Sequence, residues 1–201
     1  MKAIVCNSYG PPENMTVEVV YNLKPKEGEA LVEVYAAALN FPDTLQIEGK
    51  YQFQPPLPFI PGSEAAGVIV ELGSNLNGFE IGDRVMVIPG IGALAEQICV
   101  SANGLKKIPD SMDFKTASGF PMVYTTSYYA LKQRANLQSG ETLLVLGASG
   151  GVGITAVELG KLMGARVIAG ASSEEKLKFA KKSGADYLVN YSDGDLKTKI
   201  K

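Results

Sequence analysis

Apolar and polar positions alternate, or cluster in short runs, along the first 120 residues. Lys2 to Cys6, Thr16 to Tyr21 and Leu31 to Ala38 follow this pattern, with Pro-, Gly- and Asn-bearing segments between them, and are predicted as strands. Gly67 to Gly73, Arg84 to Ile88 and Ala95 to Val100 continue the series around a proline-rich loop, Pro55 to Gly62. Many short strands with frequent turns predict a small, irregular β-barrel. After Pro109 the period changes. Phe114 to Phe120 and Tyr124 to Arg134 read as helices, and Thr142-Leu143-Leu144-Val145-Leu146 as a buried parallel strand. A glycine-rich turn follows, then a helix from Val152 to Met163, a strand from Arg166 to Ala169, a helix from Glu174 to Lys182 and a strand from Tyr187 to Val189. Ser172 and Glu175 are spaced as a capping box for the last of these helices.

Strand–helix–strand–helix–strand is one mononucleotide-binding half of a doubly wound fold. The expected fold class is therefore α/β, with a β-barrel domain over residues 1–120 and half of a Rossmann domain over residues 121–201. Asp195 to Lys201 read as the opening helix of the second half, so the Rossmann domain is expected to be truncated after its first half. The strand Thr142 to Leu146 would then be an apolar edge through which the chain associates.

Composition narrows the chemistry. The chain has 201 residues, 46% of them hydrophobic and 20% charged, a formal net charge of −2, and no histidine. Without histidine there is no Ser-His-Asp or Cys-His catalysis, no imidazole acid or base, and no zinc site with a His ligand. Cys6 and Cys99 are too few for a four-cysteine site and read as two reduced thiols. A bound cofactor is thus expected to carry any reaction. The balanced charge argues against nucleic acid as a partner. No apolar run reaches a membrane span, and the N-terminus does not read as a signal peptide, so the expected location is cytoplasmic.

Gly147-Ala148-Ser149-Gly150-Gly151-Val152-Gly153 lies between a strand and a helix, as a dinucleotide fingerprint does. There the glycines allow a tight turn, close approach to the pyrophosphate and close helix–strand packing, while the helix start offers free N–H groups. In that frame Ala148, Gly150 and Gly153 hold the three glycine positions. The acid that grips the ribose 2′-OH of NAD is missing after the second strand, where the chain reads Ala169-Gly170-Ala171-Ser172-Ser173. Ser172, with Lys176 one turn on, leaves room and positive charge for a 2′-phosphate, which favours NADP(H). The alternative is that Ser172 only caps the helix and Lys176 is solvated.

The chain resembles the zinc-independent quinone oxidoreductases, the zeta-crystallin-like group of the medium-chain dehydrogenase/reductases. The marks are Asn40-Phe41-Pro42-Asp43, Gly49-Lys50-Tyr51, Pro58 to Gly67, Asn77 to Val85, the glycine turn and Asn190-Tyr191. The resemblance implies a GroES-like domain followed by a Rossmann domain, NADPH as hydride donor to quinones, enones or enals, and a homodimer of the full-length protein. Zinc-dependent relatives carry a Cys near the position of Pro42 and a His at that of Ser63; Glu64 is retained here without them. By position, Tyr51 and Asn40 are expected to face the nicotinamide or substrate, and Thr126 to lie near the ring. Ser149, Gly150, Gly151, Val152 and Gly153 are expected at the pyrophosphate, and Ser172, Lys176 and Tyr191 at the adenosine phosphate and ribose. Asn40 also suits a turn before Pro42, Tyr51 a half-buried barrel aromatic, and Asp43 a helix cap. Some members carry Tyr where this chain has Leu45. Three other readings stay open: an enoyl, acryloyl or enal reductase, a silent NADPH-binding protein, and an inactive fragment.

Overall fold

The computed structural model describes residues 1–192, 194 and 196–199. The chain divides into two compact units, Met1–Met122 and Val123–Lys201.

In the first unit β1 (Lys2–Val5) pairs antiparallel with β2 (Thr16–Val19). Then come β3 (Glu29–Ala38), α1 (Phe41–Ile47), β4 (Glu64–Leu72), β5 (Arg84–Val87), β6 (Gln97–Ser101), β7 (Leu105–Lys107) and α2 (Phe114–Ser118). The last five strands form one antiparallel sheet in the order β6-β3-β4-β5-β7. Alternation supplies its core: Ala30 and Val32 of β3 are fully buried with Ile69, Val85 and Val87 from the neighbouring strands. Each such branched side chain contributes roughly 1.5–3 kcal/mol by leaving water. The N-terminal ribbon is tied in from far along the chain. Ile4 N–H donates to Leu94 O at 2.9 Å and Lys2 N–H to Glu96 Oε2 at 2.7 Å.

Periodicity alone does not predict the helix α1. Asn40 precedes it in an extended conformation, Pro42 stands in its first turn, and Asp43 Oδ2 accepts from the Asn40 N–H at 2.7 Å. Proline has no N–H to satisfy at that position, and the Asp43 carboxylate takes one of the exposed donors, so a seven-residue helix is stable where the pattern reads as a turn.

The second unit takes up α3 (Pro121–Tyr128), within which the division between the units falls. It continues through β8 (Thr142–Leu146), α4 (Gly151–Leu162), β9 (Arg166–Ala171), α5 (Glu174–Lys182), β10 (Tyr187–Asn190) and α6 (Leu196–Lys199). The three strands are parallel in the order β10-β9-β8 with helices as crossovers, the expected mononucleotide-binding half. Val145, Val157, Val167, Ala169 and Ala180 form its core. Asp186 fastens the entry to β10, accepting from Val167 N–H at 2.7 Å and from Lys161 Nζ at 2.8 Å. The Lys161 ammonium holds the Asp186 carboxyl below its ordinary range, helped by the Val167 amide.

One local expectation is refined and one is corrected. The helix expected over Tyr124 to Arg134 is α-helical only to Tyr128; Tyr129–Arg134 is a π-helical turn, in which Ala135 N–H reaches back five residues to Ala130 O at 2.9 Å. The cap of α5 is Ser173, whose Oγ accepts from Lys176 N–H, rather than Ser172 paired with Glu175. Of the opening helix expected over Asp195 to Lys201, Leu196–Lys199 is helical, while Asp195, Ile200 and Lys201 lie outside the described residues.

Among the described residues β8 ends the parallel sheet with one edge unpaired, and Leu146 at its end is 56% exposed. An apolar parallel edge is a template for another strand. The 201-residue chain is expected to self-associate in sedimentation, with Leu146→Lys moving it toward monomer. A monodisperse wild-type chain at high concentration would refute this.

Candidate functional site

The turn after β8 is built by two glycines with different duties. Gly147 adopts φ +64°, a left-handed backbone that favours glycine. The positive-φ residue of the tight turn is therefore Gly147, one position before Ala148; Ala148 is buried, and its N–H is accepted by Gly170 O at 3.0 Å. Gly153, in the first turn of α4, lies so close to this turn that a Cβ there would stand 2.2 Å from Gly147 O and 2.9 Å from Ala148 Cα. It has the close-packing role expected of the third glycine. Gly150 caps α4 with extended backbone, and a Cβ there would touch only Gly147 O, at 3.4 Å. Space beyond Gly150 is open, and Gly151, Val152 and Gly153 form the first turn of a 12-residue helix whose leading N–H groups lack intrahelical acceptors. Bare backbone and a positive helix end are what a pyrophosphate needs.

The other expected cofactor residues gather at the ends of the next two strands. Ser172 follows β9, and its Oγ accepts from Lys176 Nζ at 3.0 Å; both residues are exposed. Tyr191 follows β10, its N–H donating to Ala171 O at 3.1 Å, with its ring 3.3 Å from where a Gly170 Cβ would stand. Ser172 and Tyr191 thus follow the C-terminal ends of two adjacent strands, with Lys176 bound to Ser172. The nearest acid, Glu174, accepts from Asn190 Nδ2 at 3.3 Å.

In the first unit Asn40 is tied by both of its nitrogens. Its backbone N–H goes to Asp43, and its Nδ2 donates to Glu64 Oε1 at 2.8 Å. Glu64, the first residue of β4, is 1% exposed, and its Oε2 accepts from Met122 N–H at 2.8 Å. Burial pushes the Glu64 carboxyl up; the Asn40 and Met122 hydrogen bonds oppose that, and the nearby Asp43 charge adds to it. Three further polar atoms are buried with no partner among the described residues, Asp43 Oδ1, Gln46 Oε1 and Ser63 Oγ, each a cost of about 1–3 kcal/mol. A carboxyl shifted by burial, like that of Glu64, is a kind of group that clusters at functional sites. The sequence singles out Asn40, but the tie to Glu64 spans 24 residues and leaves no local signal.

Tyr51 is half-buried, and its N–H returns the chain to Leu45 O in α1 at 3.1 Å. Its hydroxyl has no protein partner among the described residues. Thr126, in the second unit, is exposed on α3 and lines a cavity of about 670 Å³ with Thr125, Tyr129 and Arg134. Its neighbour Ser127 is buried and fixes α3 to the start of α4 through Thr155 Oγ1 at 2.8 Å and Val152 O at 2.9 Å. A cavity of about 870 Å³ in the first unit, against Cys99, Val100, Ile88 and Ile91, contains none of the expected site residues. No group of three His, Cys, Asp or Glu among the described residues is placed to hold a metal, and no described helix is long and apolar enough to cross a membrane.

Comparison with known proteins agrees with this architecture. Residues 26–110 match the alcohol dehydrogenase GroES-like domain family, and residues 151–201 the zinc-binding dehydrogenase family. A quinone oxidoreductase-like protein 2 homolog of Nematostella vectensis is 38% identical over 203 residues, covering 100% of this chain and 55% of that protein. Quinone oxidoreductase-like protein 2 of Rattus norvegicus is 37% identical over 201 residues, covering 100% of this chain and 57% of that protein. The structure of Escherichia coli quinone oxidoreductase complexed with NADPH superposes with a TM-score of 0.94 at 31% identity, over 100% of this chain and 61% of that one. The chain spans little more than half the length of these curated relatives. A GroES-like unit, a glycine turn opening half a Rossmann sheet, and these relatives together place the chain in the quinone-oxidoreductase group of the medium-chain dehydrogenase/reductases.

Proposed function

We propose that this chain carries the substrate-facing and phosphate-binding parts of a zinc-independent, NADPH-dependent reductase of quinones or related conjugated carbonyls. The observation that carries the reading is the succession of strand ends in the second unit. β8 leads into the Gly147–Gly153 turn, β9 into Ser172 with Lys176, and β10 into Tyr191. The open space over Gly150 fits a pyrophosphate, and the absence of an acid at Ser172, with Glu174 engaged by Asn190, fits a 2′-phosphate. The NADPH complex of the Escherichia coli relative supports the same cofactor. NADPH, when bound, supplies a hydride from its nicotinamide. The protein's work is then binding, orientation and polarisation.

In this reading Ser149 to Gly153 hold the pyrophosphate on backbone N–H groups, Lys176 and Ser172 the 2′-phosphate, and Tyr191 the ribose side. Thr126 lies beside the nicotinamide ring. Asn40 and Tyr51 polarise the carbonyl of the acceptor, Tyr51 through a hydroxyl that has no protein partner among the described residues. Zinc independence rests on composition: with no histidine in the chain, and with Pro42 and Ser63 where zinc-dependent relatives keep Cys and His, Glu64 has no partners for a metal. The whole protein is read as a cytoplasmic homodimer acting on small molecules.

Titration with NADPH and with NADH, followed by fluorescence, tests the cofactor reading. Selective NADPH saturation is expected, and then NADPH oxidation with a quinone acceptor. Equal affinity for NADH would overturn the Ser172 and Lys176 assignment, and binding of neither would overturn the reading for this chain.

A further inference from the structure

We propose that Glu64 is a positioning residue, whose buried carboxylate decides which way round the Asn40 amide faces a bound carbonyl compound. The inference rests on the reading of Asn40 as substrate-facing.

An ionised carboxylate only accepts hydrogen bonds, so an asparagine that meets one must turn its NH₂ toward it. Asn40 does this, with Nδ2 2.8 Å from Glu64 Oε1. The carboxylate cannot swing away, because its other oxygen is held at 2.8 Å by the Met122 main-chain N–H and the side chain is 1% exposed. Nor can Asn40 move as a whole, since its own N–H is fixed by Asp43 Oδ2 at the start of α1. Two carboxylates thus take the backbone and one side-chain N–H of Asn40. Its Oδ1 faces the Asp43 N–H in the capping box of α1, and its second Nδ2 hydrogen is left in a defined arrangement for a ligand. A buried acid facing two donors, with no cation paired to it among the described residues, is a costly element for stability alone. Its effect here is to remove the two-fold ambiguity of an amide.

Glu64→Gln tests this because it keeps size and shape and leaves one oxygen where there were two. The Met122 N–H cannot reverse, so the introduced amide keeps its oxygen there and presents its NH₂ to Asn40. Asn40 answers by turning over and offering Oδ1. The bonds to Met122 and between the two side chains survive, the Asn40 side chain gives up the Asp43 N–H of the capping box, and the donor–acceptor pattern shown to the ligand is inverted. A structural role for Glu64 would leave the kcat of E64Q close to wild type. The positioning role predicts an unchanged melting temperature, an unchanged KM for NADPH and a kcat for quinone reduction about 100-fold lower, the usual cost of a misaligned reacting group. By NMR, one Asn40 side-chain proton in the wild type should carry the downfield shift of a hydrogen bond to a carboxylate, and E64Q should lose it.

An active wild type with an equally active E64Q, or an Asn40 resonance that E64Q leaves in place, overturns the proposal. A wild type with no turnover fails the functional reading instead, and the Asn40 amide orientation in E64Q then decides the role of Glu64: turned over, with Oδ1 toward the introduced amide, it upholds the proposal; unturned, it overturns it. Should E64Q not fold, the wild-type spectrum decides, because an Asn40 side chain without a carboxylate-shifted proton contradicts the orientation.

Discussion

Gly153→Ala is expected to collapse the second unit's stability, although it adds one methyl group to a helix. The methyl would stand 2.2 Å from Gly147 O and 2.9 Å from both Gly147 C and Ala148 Cα, all backbone atoms of the turn that α4 leans on. Rotamer changes cannot relieve such a contact, so α4 must lift away from β8. The loss is about 3 kcal/mol, at the upper end for overpacking, or a fall in melting temperature of about 10 °C or more for a unit of this size. Gly150→Ala is the control within the same turn. There φ is −77°, accessible to any residue, and the only contact is 3.4 Å. Its fold should survive while NADPH affinity drops at least about tenfold, because the methyl fills space meant for phosphate. Thermal melts and cofactor titrations of both variants separate the two duties. A Gly153→Ala protein melting with the wild type, or a Gly150→Ala protein binding NADPH as the wild type does, contradicts the assignment.

The second large effect concerns cofactor choice. Ser172→Asp places a carboxylate where NAD-binding proteins hold the ribose 2′-OH, beside the point at which Lys176 Nζ meets Ser172 Oγ at 3.0 Å. The new acid pairs with Lys176, removing a cation from the 2′-phosphate, and repels that phosphate itself. Like charges brought together in a binding site cost several kcal/mol, so the preference for NADPH over NADH should shrink by about 100-fold. Ser172 is exposed, and Ser173 holds the cap of α5, so the fold has no reason to suffer. The ratio of the two dissociation constants is the measurement, and an unchanged ratio would mean that the phosphate binds elsewhere.

The parts of this molecule legible in its sequence are those where one local rule acts alone. The pattern bounds Thr142–Leu146 and Glu174–Lys182 to the residue, because an apolar run between turns and an amphipathic stretch after serines have little else to become. Neighbouring serines hide the choice between Ser172 and Ser173, which differ by one residue in who meets the Lys176 N–H. The helix α1 is hidden because seven residues give too little periodicity to detect, although Asn40 with Asp43 three positions on is a helix-start signal. The π-helical turn at Tyr129–Arg134 has no sequence signature at all. Around Asn40 the residue type and its motif are readable. Its tie to Glu64 is not, since that depends on β4 returning past α1.

The first strand of this chain is completed by residues made up to some ninety positions later. Lys2 and Ile4 find their partners at Glu96 and Leu94, and Cys6 pairs with Phe59. On the ribosome β1 and β2 can pair as soon as they emerge, but the ribbon they form has nowhere to dock until most of the unit has followed. The second unit has no such wait, because each of its strands pairs with the one made just before or just after it, so its contacts close over short stretches of chain. During synthesis the apolar face of the ribbon is therefore exposed for the time taken to add some ninety residues, roughly 5–20 s at ordinary elongation rates. That exposure thus ends before the second unit has left the ribosome.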